Sequence, residues 1–290
     1  MNGGPPLVDR FGRIADDLRL SVTDRCNFRC VYCMPAEGLR WLPREEVLTF
    51  EEQLRLVRLF AALGVRTVRL TGGEPLVRAD LPELVAMIAG ALPDVDLSMT
   101  TNGHRLGELA EPLARAGLRR VNVSLDSLQA ARFHRVTRRD DLPRVLEGLA
   151  AADAAGLRPL KINAVMVRGV NDDEAVDFAA LARARDWHVR FIEYMPLDAG
   201  HEWTREQVVP SEELLARIDA AYPVRRADED GPEPAVRYLF ADGAPGSVGF
   251  IASVSEPFCG SCNRLRLTAD GHFRTCLFAL DEVDLRGPLR

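Results

Sequence analysis

The sequence predicts an α/β fold built on a parallel sheet: a partial or open barrel of six βα units, followed by a carboxy-terminal layer. Three observations predict it. Short apolar or alternating runs recur as far as Tyr194, the stretches between them carry apolar residues at helical spacing, and each run keeps its polar residues on one side.

In chain order the predicted strands are DLRLSVT, VRTVRLT, VDLSMTT, RVNVSLD, LKINAVMV and HVRFIEY. The predicted helices are FEEQLRLVRLFAALG, DLPELVAMIAGAL, RLGELAEPLARAG, DLPRVLEGLAAADAAG and DDEAVDFAALARA, most of them closing at or near glycine. Such βα repetition implies a parallel sheet, although a doubly wound open sheet has the same one-dimensional signature. Parallel strands covered on both faces should be apolar throughout. Here one side offers Arg19, Ser21 and Thr23, then Thr67, Arg69 and Thr71, then Ser98, Thr100 and Asn102. It continues with Asn122, Ser124 and Asp126, then Lys161 and Asn163, then Arg190. In a barrel that side is the lumen, and its charges need partners that a large anionic ligand would supply. A sheet with one solvent-exposed face would show the same pattern.

After Pro196 the periodicity breaks. SEELLARIDAAYP reads as a helix capped by Ser211, and a polar stretch, RRADEDGPEP, leads to short strands and a second cysteine group. Residues 1–200 are therefore expected to form the barrel and 201–290 a region covering one of its openings.

With 290 residues, 47% of them apolar, the chain can bury a large core. The net charge of −6, from 43 acidic and 37 basic residues, gives no sign of a nucleic-acid or membrane partner. No basic segment precedes an apolar run at the amino terminus, and no stretch is long and apolar enough to span a bilayer, so a cytoplasmic protein is expected. In that reducing setting six cysteines point to metal or redox chemistry rather than disulfides. Lys161 is the only lysine beside 36 arginines. Its place inside a strand suggests a tight polar contact, and drift in composition explains it equally well.

Cys26, Cys30 and Cys33 lie in CNFRCVYC, just beyond the first strand. Three thiolates this close can hold three corners of a [4Fe-4S] cube, leaving one iron open to a small molecule. A zinc knuckle would need a fourth ligand, and the flanks offer neither Cys nor His. Cys259, Cys262 and Cys276 lie in CGSCNRLRLTADGHFRTC. Taken alone, that group fits a zinc site completed by His272 as well as it fits a cluster, but Arg264 and Arg266 beside it suggest an anionic ligand.

CNFRCVYC resembles the signature of the radical S-adenosylmethionine superfamily, and TGGEP (71–75) resembles its methionine-binding motif. With DLRLSVTDRCNFRC, TTNG, VSLDS, RFIEYMP and CGSCNRLRLTADG following in order, the chain resembles the GTP 3′,8-cyclase family over nearly its whole length. That resemblance implies a partial (βα)6 TIM-like barrel with a carboxy-terminal cluster-binding layer. It implies two [4Fe-4S] clusters and S-adenosylmethionine, the latter contacted by Tyr32, Gly73, Ser124 and Met195. GTP would be bound by Arg19, Arg69, Thr100, Lys161, Arg190, Arg264 and Arg266, five of which already stood on the polar face of the strands.

The implied reaction begins with a 5′-deoxyadenosyl radical that removes the C3′ hydrogen of GTP. The carbon radical then attacks C8, giving (8S)-3′,8-cyclo-7,8-dihydroguanosine 5′-triphosphate, at the first step of molybdenum-cofactor biosynthesis. No conventional catalytic side chain is required. The implied partners are an electron donor, the cyclic pyranopterin monophosphate synthase that receives the product, and a second copy in a homodimer. A radical enzyme acting on a peptide and a zinc-stabilised nucleotide-binding protein without catalysis remain as other readings. Family members continue past EVDLR to a Gly-Gly tail, whereas this sequence stops at Arg290: either the tail is lost or the sequence is cut short, and a lost tail would spare both clusters and put turnover in question.

Overall fold

The computed structural model describes residues 6–197, 202–228 and 233–290. The six predicted strands are β1 (Asp17–Ser21), β2 (Thr67–Thr71), β3 (Asp96–Thr101), β4 (Arg120–Ser124), β5 (Leu160–Met166) and β6 (Trp187–Glu193). Between them run α1 (Phe50–Ala62), α2 (Leu81–Ala91), α3 (Leu106–Ala116), α4 (Ala130–Thr137), α5 (Leu142–Ala154) and α6 (Ala175–Ala184). The amphipathic α4 was not foreseen. Next come α7 (Ser211–Ala221), β7 (Val224–Arg226), β8 (Val236–Phe240), β9 (Ser247–Ile251), β10 (Arg264–Leu267), β11 (His272–Arg274), β12 (Val283–Asp284) and the single turn α8 (Arg286–Leu289).

One sheet holds every strand, in the order β12-β11-β10-β1-β2-β3-β4-β5-β6-β9-β8-β7. The run from β10 through β1–β6 to β9 is parallel, with antiparallel strands outside it. The six βα strands stay in sequential order, which decides against a doubly wound sheet, whose strand order reverses at a switch point. The outer face of each strand is apolar: Leu18, Leu20, Val68, Leu70, Met99, Val121, Val123, Ile162, Val189 and Phe191 are buried in one core. The polar residues face the other way, toward the concave side.

The carboxy-terminal region does more than cover an opening. It contributes β9, paired with β6, and β10, paired with β1, so one segment extends both edges of the βα sheet. Residues from β1, β2, β5, β6 and β10 line the same cavity, which means that the sheet curls. No helix among the described residues is long and apolar enough to cross a membrane.

Local chemistry sets several boundaries. Thr49 and Glu52 form a reciprocal capping box at the start of α1. The expected cap at Ser211 is not formed. Ser211 is the first residue of α7, behind Pro210, and its N–H donates to the carboxylate of Glu193 (3.1 Å). Glu193 also accepts from the N–H groups of Val254 (2.9 Å) and Ser255 (2.8 Å), pinning the segment after β9 to the end of β6. A buried carboxylate thus takes the role that a hydroxyl was expected to fill.

Candidate functional site

The first triad sits in the loop after β1, at the carboxyl end of the sheet. Cys26 and Cys30 are half-buried and Cys33 is exposed. The loop is seated on the core by Phe28, which is 2% exposed and packs edge-on against Phe133. The N–H of Phe28 donates to Cys26 Sγ (3.4 Å), and the N–H of Cys33 to the carbonyl of Cys30 (2.9 Å). Burial pushes the Cys26 thiol up to about 11 and raises Cys30 and Cys33 as well. Thiols so placed become thiolates when a cation binds them.

Behind this loop lies the TGGEP turn. The N–H of Gly73 donates to Thr23 (2.9 Å) and that of Glu74 to Arg25 (2.8 Å). Gly72 has a φ of +146°, and a side chain on either glycine would collide with the backbone of residues 23–25. In this chain the glycines let the second loop lie flat against the cluster loop. Glu74 is buried and accepts from the N–H groups of Leu76 (3.0 Å) and Asn102 (2.6 Å) and from the Thr101 hydroxyl (2.6 Å). Asp126, at the end of β4, accepts from Val165 N–H (2.9 Å) and from the hydroxyl of Tyr32 (2.7 Å). The Tyr32 phenol thus keeps its proton and donates it in a hydrogen bond to Asp126. Ser124 is half-buried opposite Asn163 of β5, and Thr100 is half-buried opposite Asn122.

The concave side of the sheet holds a cavity of about 410 Å³. It is lined by Cys259, Cys262 and Cys276, by Met195, and by Arg19, Arg69, Arg190, Arg264 and Arg266. Five of the seven residues expected to bind GTP, Met195 and the whole second triad therefore converge on one space. Lys161 faces a neighbouring chamber instead. Arg120 completes a group of six guanidiniums, which, among the described residues, only two lining carboxylates, Asp17 and Glu233, oppose. The signal for Arg120 was present, since it opens RVNVSLD two residues before Asn122 and shares its face; Glu233, in a polar stretch without periodicity, carried no such signal.

Hydrogen bonds hold the guanidiniums apart in a row. The Asn122 amide oxygen accepts from Arg69 Nη1 (2.6 Å) and Arg190 Nη2 (3.0 Å). Arg190 Nε donates to Asn163 Oδ1 (2.9 Å), Arg69 Nε to Ser98 Oγ (3.1 Å) and Arg19 to Asp17 (3.0 Å). Burial, followed by the neighbouring Arg19, pushes Arg69 down to about 9, and burial pushes Arg190 and Arg266 to about 10. A guanidinium stays charged at neutral pH, so these groups are cations withdrawn from water, which an anion in the cavity would stabilise. Arg19 Nε is buried without a partner among the described residues.

The second triad is set by charge. Burial raises Cys262, but the N–H and guanidinium of Arg264 outweigh it and leave the thiol below its ordinary value. The N–H of Phe278 donates to Cys276 Sγ (3.4 Å), repeating the Cys-x-Phe arrangement of Cys26. His272 turns its Nδ1 to Asp270 (3.1 Å), and among the described residues no three Cys, His, Asp or Glu gather as a single metal ion would require.

Residues 20–182 match the family described as Radical SAM superfamily, and residues 187–290 match Molybdenum Cofactor Synthesis C. A GTP 3′,8-cyclase from Streptomyces coelicolor is 51% identical over 99% of this chain and 85% of its own length. Another from Mycolicibacterium smegmatis is 50% identical over 98% and 80%. Among solved structures, Streptococcus suis SuiB superposes with a TM-score of 0.68 at 14% identity, covering 95% of this chain, which spans 64% of SuiB. The radical SAM enzyme HemN of Escherichia coli gives 0.52 at 17% identity, covering 73% of this chain and 54% of its own. These two likenesses concern the fold.

Proposed function

The chain belongs to the GTP 3′,8-cyclase family of radical S-adenosylmethionine enzymes, and from that premise we propose how its residues divide the work of cyclising GTP at the first step of molybdenum-cofactor biosynthesis. Cys26, Cys30 and Cys33 hold the [4Fe-4S] cluster of the superfamily, and their fit rests on three thiols in one loop, two of them half-buried, together with the N–H donated to Cys26 Sγ. With S-adenosylmethionine bound, that group supplies a primary radical able to remove a hydrogen atom. Tyr32, Gly73, Ser124 and Met195 orient the cofactor over the cavity.

Cys259, Cys262 and Cys276 hold a second [4Fe-4S] cluster. The N–H on Cys276 Sγ and the acidified Cys262 support this, since a cluster requires thiolates. Arg264 and Arg266 orient the guanine beside it. Arg19, Arg69, Thr100, Lys161 and Arg190 bind ribose and phosphates, and the task of these residues is positioning and charge neutralisation. The observation that carries the proposal is the convergence of six guanidiniums and three thiols on one cavity of nucleotide size. The same reading brings an external electron donor, a cyclic pyranopterin monophosphate synthase that takes the product, a homodimer and a cytoplasmic setting. It keeps residues 1–200 as the barrel and 201–290 as the region of the second cluster.

The test is anaerobic turnover with dithionite, S-adenosylmethionine and GTP deuterated at C3′. Deuterium should appear in 5′-deoxyadenosine; 5′-deoxyadenosine formed without it would refute the abstraction site.

A further inference from the structure

Two chambers meet inside the barrel. The chamber that holds the second triad shares Arg190 and Glu233 with another cavity, of about 520 Å³, at the amino ends of β5, β6 and β9. Among the described residues the second chamber is lined by Lys161, His188, Arg190, Arg226 and Arg237, with Glu233 as its one carboxylate. Lys161 Nζ donates to Glu233 Oε1 (2.8 Å) and Oε2 (3.0 Å). The side chains are 10% and 60% exposed, so the ammonium is fixed in the wall while the carboxylate reaches it from water.

A buried ammonium requires a counter-ion. A phosphate arriving at Lys161 and the Glu233 carboxylate would compete for the same charge at contact distance, where like charges repel strongly. The exposed group is the one that leaves, because an ion pair open to water is held weakly. The depth of the site then matters. The guanine end belongs beside the second triad, so a phosphate chain extends past Arg69 and Arg190 toward Lys161, and only a long chain gets there.

We propose that Glu233 is the resident counter-ion of Lys161, displaced only by a ligand whose phosphates reach that far. This rests on the GTP reading above and adds to it the group that makes binding sensitive to the number of phosphates. A monophosphate stays among Arg19, Arg69 and Arg190 and leaves the Lys161–Glu233 pair intact. Arg226, exposed on β7, supplies charge at the far wall.

The experiment is equilibrium binding of GTP and of GMP to the anaerobically reconstituted full chain at fixed ionic strength, with and without Mg²⁺. Glu233→Gln should tighten GTP about two- to fivefold, the range of a partly exposed ion pair, and leave GMP unchanged. Arg226→Gln should weaken GTP more than GMP. The proposal is overturned if Glu233→Gln shifts both nucleotides alike, or if it weakens GTP, which would make Glu233 a structural partner or a ligand for a cation. Wild-type protein that binds neither nucleotide would bring down the GTP reading itself, whereas bound GTP with an unmoved GTP-to-GMP ratio would bring down only this proposal.

Discussion

The two cysteine triads share a local device and differ in what surrounds it. Each has a Cys-x-Phe step in which the Phe N–H donates to the sulfur (3.4 Å in both). At the first triad Phe28 is 2% exposed and the loop rests on the TGGEP turn, whereas at the second Phe278 is 53% exposed and Cys259 and Cys276 face solvent. Burial raises the first three thiols, while Arg264 lowers Cys262. Arg13 donates to the carbonyl of Cys259, adding another cation at the second. One site is held by packing and the other by charge, so the two should fail under different insults.

The sharpest division comes from removing one ligand at a time. Cys30→Ser should abolish 5′-deoxyadenosine formation and leave about four of eight iron atoms per chain. Cys262→Ser should lose the same amount of iron and still cleave S-adenosylmethionine, uncoupled from GTP. Iron analysis together with product quantitation distinguishes the two variants, and an identical phenotype would erase the proposed division of labour.

Charge is the next lever. Arg266→Gln removes a fork from the second site and should weaken GTP binding about 10- to 100-fold, as expected for a charge-assisted hydrogen bond, with little change in Tm. Packing is the counterpart at the first site: Gly73→Ala must displace the backbone of residues 24 and 25. It should cost about 1–3 kcal/mol of stability and impair loading of the first triad while sparing the second. Cluster-specific spectroscopy and thermal unfolding would show whether the loss is confined in this way.

The smallest effect concerns Glu74, which braces the first site. Burial outweighs its three donors and pushes the carboxyl up to about 7. The folded state therefore keeps a proton that the unfolded chain releases near pH ~4.3. This contribution to stability is complete below the unfolded value and is lost as pH rises through about 7. Tm should fall by a few degrees across that window, and Glu74→Gln should flatten the slope even though it lowers stability throughout. A slope unchanged by the substitution would assign it to another group.

Much of this arrangement was legible because period-2 alternation records which side of a strand faces the lumen. Arg19, Arg69 and Arg190 were readable that way, and Arg120 would have been had its strand been followed back by one pair. The adjacency of the triads to strand ends was equally local. What escaped was long-range: β9 and β10 are short strands whose partners, β6 and β1, are set by the closing of the sheet rather than by their own residues. The cap expected at Ser211 failed for a similar reason, since Glu193 reaches that helix from a distant strand. The neighbouring chamber reached by Lys161 depends on Glu233, and nothing in a polar stretch announces a lumenal carboxylate.

The pairing of β1 with β10 also bears on how the molecule is made. Asp17 lies in register with Arg264, so an early strand of the described residues is completed only by one far along the chain. Until then one flank of the nascent sheet offers bare backbone donors and acceptors to any passing chain, and closing so long a loop is slow. Production in cells should therefore improve with slower translation or added chaperone capacity, and the soluble fraction recovered at low temperature would register that dependence.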